Sequence, residues 1–292
     1  MTRFVPVLCV IAALGLAGSA WILLGARAHE NVTIPSAPGP AAVNTPDALR
    51  TDLVAARRSC APAPLDTVVQ QLTARTQAPD ATTDPSPWRL LAEAHLERAL
   101  ARSHRRGLRV GEPTYTELPR EIEADVAQGL AAIQQARERG DDGAELCRLE
   151  AALLGQRITG LGSALQWNSR IHAALQKAAE LAEGDPRVHV AIGLRKLLAP
   201  RLLGHDPAKA LEHFTFAAGA LADDERPSVF AAMACHLQKK REQAIAWLER
   251  AVAANPQNQF AAVVLRRLRA GEDDPFGRDV GDDEVAAAAT GR

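Results

Sequence analysis

The side chains that most often bind metals are few and widely spread in this chain. The eight histidines stand at positions 29, 95, 104, 172, 189, 205, 213 and 236. His205 and His213 form the closest pair, but a zinc site needs at least a third protein ligand, and none follows them at helical spacing. The sequence therefore favours histidines in solvent or at the edge of the core. It predicts no metal site and no cofactor.

The sequence patterns of common catalytic sites are absent. There is no nucleophile elbow, P-loop, dinucleotide-binding loop or HExxH motif. The acidic clusters Asp141-Asp142 and Asp223-Asp224-Glu225 lie at predicted helix junctions, where carboxylates cap N-terminal amides and favour the positive end of the helix dipole. We therefore predict a protein that is not an enzyme.

The cysteines do not form a metal or haem-attachment pattern. Cys9 lies inside an apolar run, and the three others follow without CxxC or CxxCH spacing. Cys147 and Cys235 fall in helical patterns and are predicted to be small buried apolar residues. Cys60 lies in a loop-like Ser-Cys-Ala-Pro segment. One disulfide that involves Cys60 is therefore an alternative to free thiols if the compartment is oxidising.

Composition favours a helical protein that does not bind nucleic acid. The 292 residues include 34 Lys and Arg against 35 Asp and Glu, without the basic excess that phosphate neutralisation requires. There are 58 alanines, whereas aromatic residues make up only 4% of the chain. Abundant alanine with few aromatic side chains predicts helices that pack closely on small residues.

The N-terminus predicts export across a membrane. No charged residue occurs from Phe4 to Ala26, and as a helix this run would measure roughly 34 Å, enough to span a bilayer. The alternative is a signal peptide cleaved near Ala28, because Ala26-Arg27-Ala28 has the form of a cleavage site. The first alternative predicts a single-pass protein of the inner (cytoplasmic) membrane with its main domain in the periplasm or outside. The second predicts a periplasmic protein.

The remaining chain divides by composition. Residues 1–28 form the anchor or signal peptide, and residues 29–46 form a proline-rich linker. A short helical segment over 47–86 precedes a long helical domain over 87–270. Residues 271–292 are rich in Asp, Gly and small residues and lack an apolar face, so we expect a disordered tail.

Two segments share one spacing of small and large residues. Small, large and small positions, followed by a proline, stand at offsets of four, three and five residues at Ala244, Leu248, Ala251 and Pro256. The same offsets recur 34 residues earlier at Ala210, Phe214 and Ala217. Small residues let two helices approach, and the larger one fills the groove between them. The pattern resembles the tetratricopeptide repeat, a helical hairpin of about 34 residues.

The resemblance extends upstream in weaker form. Trp88, Leu91 and Ala92 match the opening helix of a repeat, with His95 where tyrosine is usual. An interruption over Arg102–Leu118 follows, and then helices are predicted over 121–138, 144–158, 170–182 and 186–198. The resemblance implies an all-α, tetratricopeptide-like helical-hairpin solenoid, with the first helix of each hairpin on a concave face.

A second resemblance concerns the link between two of these helices. Pro200, Gly204 and Asp206 have the spacing found in the periplasmic T-component proteins of tripartite (TRAP-type) transporters, with His205 where that family has a second glycine. This resemblance implies an alternative function, a periplasmic ligand-binding accessory protein of a transport system. It predicts a closed apolar pocket and self-association.

The candidate partner-binding residues follow from the expected concave face. In the helix of Trp88, Arg89, Glu93 and Glu97 recur every four residues, and the last repeat should expose Arg226, Val229, Met233 and His236. We take as candidates Arg89, Glu93, Glu97, Arg226, Met233 and His236. The same spacing of charges is also typical of a salt-bridged solvent face.

A basic loop precedes the second helix of the first repeat. Residues 102–109 contain four arginines and one histidine, which favours an acidic partner, lipid phosphates or an ordinary charged loop. The leading hypothesis is a non-catalytic, membrane-tethered adaptor that binds a protein or peptide in the bacterial cell envelope during assembly or secretion. Tethering would raise the local concentration of its partner.

Overall fold

The computed structural model describes residues 45–79 and 83–290, which are helical and contain no β-strand. The apolar run at Phe4–Ala26 and most of the proline-rich linker lie outside these residues. Among the helices that are described, none combines the length and the apolarity needed to cross a bilayer.

The described residues form a series of helices in which neighbours along the chain pack together. They are α1 Pro46–Arg58, α2 Pro62–Thr76, α3 Ser86–Arg102, α4 Arg120–Glu138, α5 Ala144–Gln156, α6 Leu161–Leu181, α7 Pro186–Leu198, α8 Pro207–Ala220, α9 Arg226–Leu237, α10 Arg241–Ala254, α11 Gln259–Ala270 and α12 Asp282–Ala289. Helices α3, α5, α7 and α9 also contact one another in succession. The fold is therefore a stack of helical hairpins whose first helices share one side.

Polar side chains fix where several of these helices begin. Asp185 accepts a hydrogen bond from the amide of Arg187 at the start of α7, and Asp206 does the same for Lys209 at the start of α8. Helix α6 begins nine residues before the predicted position. There the Ser163 hydroxyl accepts from the amides of Thr159 and Gly160. This local capping extends the helix through a stretch whose leucines are exposed.

The predicted spacing of small and large residues is confirmed as the packing register. Its members are all fully buried, at Ala210, Phe214, Ala217, Ala244, Leu248 and Ala251. Helix α7 approaches α8 so closely that a Cβ atom added to Gly193 would lie 2.6 Å from the Phe214 ring. Small residues therefore set the distance between the paired helices.

The prediction of a disordered tail is wrong for residues 271–290. Phe276 and Val280 are buried against the core of the last hairpins. Arg267, only 1% exposed, donates to Glu284 and to the backbone carbonyls of Pro275, Arg278 and Asp279. A few apolar residues and one buried arginine hold this segment, which a reading of composition does not detect. We call residues 272–284 the C-terminal segment.

The packing register can be tested by overpacking. Replacing Ala251 with Phe places a ring where α10 has no free space, and we expect a loss of about 1–3 kcal/mol in the free energy of unfolding. Ala253, exposed on the same helix, is the matched control, and Ala253→Phe should leave stability nearly unchanged. Urea denaturation followed by circular dichroism measures both. Equal midpoints for the two variants would contradict the register.

Candidate partner-binding surface

Charged side chains from α3, α5, α7 and α9 meet on the side that these helices share. We call this set the charged face: Glu93, Glu97, Glu145, Arg148, Arg187 and Arg226. Arg148 donates from Nε and Nη2 to the two carboxylate oxygens of Glu145, each at 2.7 Å. Arg187 lies 3.6 Å from the same carboxylate. The first pair lies within α5, and the contact of Arg187 with Glu145 joins α7 to α5.

Two of the sequence candidates, Glu97 and Arg226, bind each other across 129 residues of sequence. Arg226 Nη1 lies 2.8 and 3.0 Å from the two oxygens of Glu97, whose side chain is buried. Arg226 also donates to Asp224, which accepts a further hydrogen bond from Arg57. Burial alone would raise the pKa of Asp224, but Arg226 and Arg57 hold it well below its usual range. Glu97 and Arg226 are therefore committed to joining α3 to α9.

Glu93 is the acidic residue of the charged face that lacks a partner within the described part of the chain. It is partly buried and makes no hydrogen bond or ion pair there. Burial raises its pKa first, and Glu145 and Glu97 raise it further, while Arg148 and Arg187 oppose them. The fold thus stabilises the ionised form of Glu93 less well than water does. A cation from another molecule would lower its free energy.

Arg89 is paired with Asp141 and is therefore not a free charge on the charged face. Its Nη1 donates to Asp141 at 2.6 Å, and the other oxygen of Asp141 accepts from the amide of Gly143 just before α5. Asp141 therefore lies at the predicted junction, but it bonds the amide that precedes α5 and does not cap the helix's own amides. Arg89 ties the start of α3 to the loop between α4 and α5.

The expected exposure of Met233 and Val229 is wrong. Met233 is 2% exposed and Val229 is 5% exposed, whereas His236 is partly buried. The His236 ring lies 5.6 Å from that of Phe276, and burial lowers the pKa of His236. Met233 and His236 are covered because the α3–α4 loop and the C-terminal segment lie beside this part of α9.

The α3–α4 loop runs along the C-terminal segment and is bonded to it through the backbone. The amide of Leu108 donates to the carbonyl of Phe276 at 2.8 Å, and the amide of Val280 donates to the carbonyl of Arg105 at 2.8 Å. The backbones approach so closely that a Cβ on Gly107 would lie 2.6 Å from the carbonyl group of Gly277. The interruption of the first repeat is therefore a docked segment.

The arginines of this loop find carboxylates within the chain itself. Arg105 pairs with Asp282, Arg106 pairs with Asp279, and Arg109 Nε lies 3.7 Å from Asp274. All three carboxylates belong to the C-terminal segment. The sequence indicated an acidic partner as one alternative, and in the structure the C-terminal segment supplies that acidic surface.

Asp125 of α4 binds side chains near the end of α3, where the loop begins. It is 1% exposed and accepts from His95 at 3.1 Å, from Arg98 Nε at 2.8 Å and from Arg102 Nε at 3.0 Å. Burial would raise its pKa, but these donors lower it overall. Sequence analysis missed this cluster, although His95 stood out where the repeat family has tyrosine. The cluster around Asp125 joins α3 to α4.

Comparison with solved structures decides the fold. The chain is similar to a thermophilic tetratricopeptide-repeat protein of Thermus thermophilus, with a TM-score of 0.53 and 15% sequence identity. The alignment covers 76% of this chain and 100% of that one. No protein-family model and no curated protein sequence matches the chain. The fold is tetratricopeptide-like.

The histidine pair in this tetratricopeptide-like array differs from the closest pair in the sequence. His213 Nδ1 lies 3.1 Å from His189 Nδ1, whereas His205 Nδ1 lies 2.9 Å from the carbonyl of Leu197. Within residues 45–79 and 83–290, no group of three or more potential ligands is arranged to hold a metal ion.

The three described cysteines are unpaired. Cys147 and Cys235 are buried, as predicted. Burial is also the largest cause that raises the pKa of Cys60, to about 12. These thiols are therefore protonated at neutral pH and are poor nucleophiles.

The anchor of the C-terminal segment generates a pH prediction. Hydrogen bonds from Arg267 lower the pKa of Glu284 from 4.5 to about 2. A carboxyl group with a lowered pKa stabilises the folded state above its unfolded pKa and loses that effect as the pH falls towards 2. We expect Glu284→Gln to lose about 3 kcal/mol at pH 7.

Measuring the free energy of unfolding from pH 7 to pH 2 checks this. The wild-type and Glu284→Gln curves should converge at the acidic end. Glu249→Gln, which removes half of an exposed ion pair, is the control and should lose little at any pH. A constant difference between wild type and Glu284→Gln across the range would contradict the assigned role.

Proposed function

We propose that this protein is a non-catalytic adaptor that binds a protein or peptide partner on its charged face. The observation that carries the proposal is Glu93, a partly buried carboxylate without a partner among the described residues. Stacked helical hairpins provide extended surfaces that suit protein recognition. Because the neighbouring arginines are already paired, a lysine or arginine of the partner is the group that Glu93 best accommodates.

We further propose that the adaptor is tethered in the bacterial cell envelope. The support is in the sequence, in the uncharged run Phe4–Ala26 and the prolines that follow it. A proline-rich linker acts as an extended spacer that would hold the repeats away from the bilayer. Confinement to the membrane would raise the effective concentration of a membrane-bound partner.

The partner-binding prediction uses a substitution that should not harm the fold. Because the pKa of Glu93 is raised, its ionised form is less favourable in the folded protein than in the unfolded chain. Glu93→Gln removes that charge at nearly constant volume. We expect unchanged or higher stability, together with capture of the partner reduced at least tenfold, since about 1.4 kcal/mol of a charge–charge contact is lost.

The measurement is a crosslinked pull-down of the full-length, C-terminally tagged protein from membranes, read by quantitative mass spectrometry. Glu123→Gln, at an exposed position on α4, is the matched control and should capture the same proteins as wild type. Equal capture by Glu93→Gln would contradict the role of the charged face. Recovery of self-crosslinked oligomers alone would oppose the adaptor and favour the alternative of ligand carriage.

Membrane tethering generates a separate prediction. Deleting residues 1–44 should move the protein from the membrane pellet to the supernatant after cell fractionation. The shortened protein should keep the helical minima in its far-ultraviolet circular dichroism spectrum. The helices of residues 45–290 supply their own buried core, so the deletion should not unfold them. A full-length protein that is already in the supernatant would contradict the anchor, and a protein shortened near Ala28 would identify a cleaved signal peptide.

A further inference from the structure

We propose that the surface beneath the α3–α4 loop is a second peptide site, which takes a basic and apolar segment of the partner in place of the loop. We call this surface the loop seat. It consists of Met233 and His236 of α9 with Phe276, Asp274, Asp279 and Asp282 of the C-terminal segment. The inference rests on the proposed adaptor function and adds the chemistry of the partner.

The backbone of the loop shows how the seat binds a chain segment through main-chain groups. Hydrogen bonds join Leu108 to Phe276 and Arg105 to Val280, so the numbering rises along one segment as it falls along the other. This is an antiparallel course, in which main-chain groups supply binding that does not depend on sequence. The amide of Gly107 adds a bond to Asp279 at 2.9 Å. Another segment has the same main-chain groups to offer if it carries glycine at the position of Gly107, where the two backbones leave no room for a Cβ atom.

Side chains of the loop show what the seat selects. Leu108 and Val110 are partly buried against the hydrophobic cluster that contains Met233 and Phe276. Beside them lies a cleft of about 350 Å³, which His236 and Asp274 also line. Medium-sized aliphatic side chains two positions apart, as Leu108 and Val110 are, fit this arrangement.

Charge complementarity specifies the flanking residues. Asp274, Asp279 and Asp282 present side chains that are 62%, 55% and 94% exposed, and each faces an arginine of the loop. Exposed ion pairs contribute little individually and exchange readily. Three carboxylates on one short segment nevertheless favour a basic segment and repel an anionic one. A lipid headgroup is therefore a poor occupant of this seat.

The loop is covalently attached, so it competes with any partner for the seat. The apparent affinity for the partner equals the intrinsic affinity multiplied by the fraction of molecules in which the loop is displaced. A substitution that weakens loop docking should consequently strengthen partner binding. Gly107 offers such a substitution, because a Cβ at this position would clash with the backbone of Gly277.

The direct experiment titrates a labelled peptide with the sequence of residues 103–112 into a full-length chain whose residues 105–112 are replaced by glycine and serine. We expect saturable binding, measured by fluorescence anisotropy, at least tenfold tighter than to the wild-type chain. A peptide with glutamate for Arg105, Arg106 and Arg109 should bind at least tenfold more weakly than the parent peptide. A helical, loop-replaced protein that does not bind the parent peptide, or that binds both peptides equally, would overturn the proposal.

Gly107→Ala in the otherwise intact chain keeps the proposal testable if the loop replacement fails to fold. We expect it to bind the same peptide more tightly than wild type, whereas the control Gly162→Ala, with open space around its Cβ, should bind as wild type does. Unchanged affinity for Gly107→Ala would contradict competition by the loop. Loss of partner capture in Glu93→Gln tests the charged face separately, so the two proposals can fail independently.

Discussion

The short distance between paired helices is the constraint on which the rest of this structure depends. Ala210 and Ala217 on α8, and Ala244 and Ala251 on α10, are fully buried, and Gly193 admits the Phe214 ring. Such contacts allow many van der Waals interactions per residue despite the scarcity of large aromatic side chains. They also fix the spacing of α3, α5, α7 and α9 along the side where the charged face lies. The close packing of α7 on α8 and of α9 on α10 therefore sets where Arg187 and Arg226 lie.

Buried ion pairs then determine which charges remain available. Burial of a charge is costly unless a partner compensates it, and Glu97 meets this requirement through Arg226, as Asp125 does through Arg98 and Arg102. Each pair joins two helices and removes its members from the set that can meet another molecule. Glu93 differs because the arginines near it are already committed. Its availability is a result of the pairing around it, not of greater exposure.

The repeat and its packing register were predictable because they depend on residues at most 34 positions apart. The order of the helices followed from the same local periodicity. The start of α6 was missed because it depends on the Ser163 cap, which is not part of an apolar pattern. The seating of the C-terminal segment was not predictable. It depends on one buried arginine, Arg267, and on bonds between residues more than 150 positions apart. For the same reason Glu97 and Arg226 were candidates separately, while their contact, and the covering of Met233, came only from the structure.

Arrays of helical hairpins usually change length by gaining or losing units, because each unit contacts only its neighbours. Here the backbone near Leu108 is bonded to that near Phe276, which makes one early unit a neighbour of the last. Adding or removing a hairpin between them would displace one bonding partner from the other. The contact between the α3–α4 loop and the C-terminal segment thus restricts the number of hairpins that can lie between them.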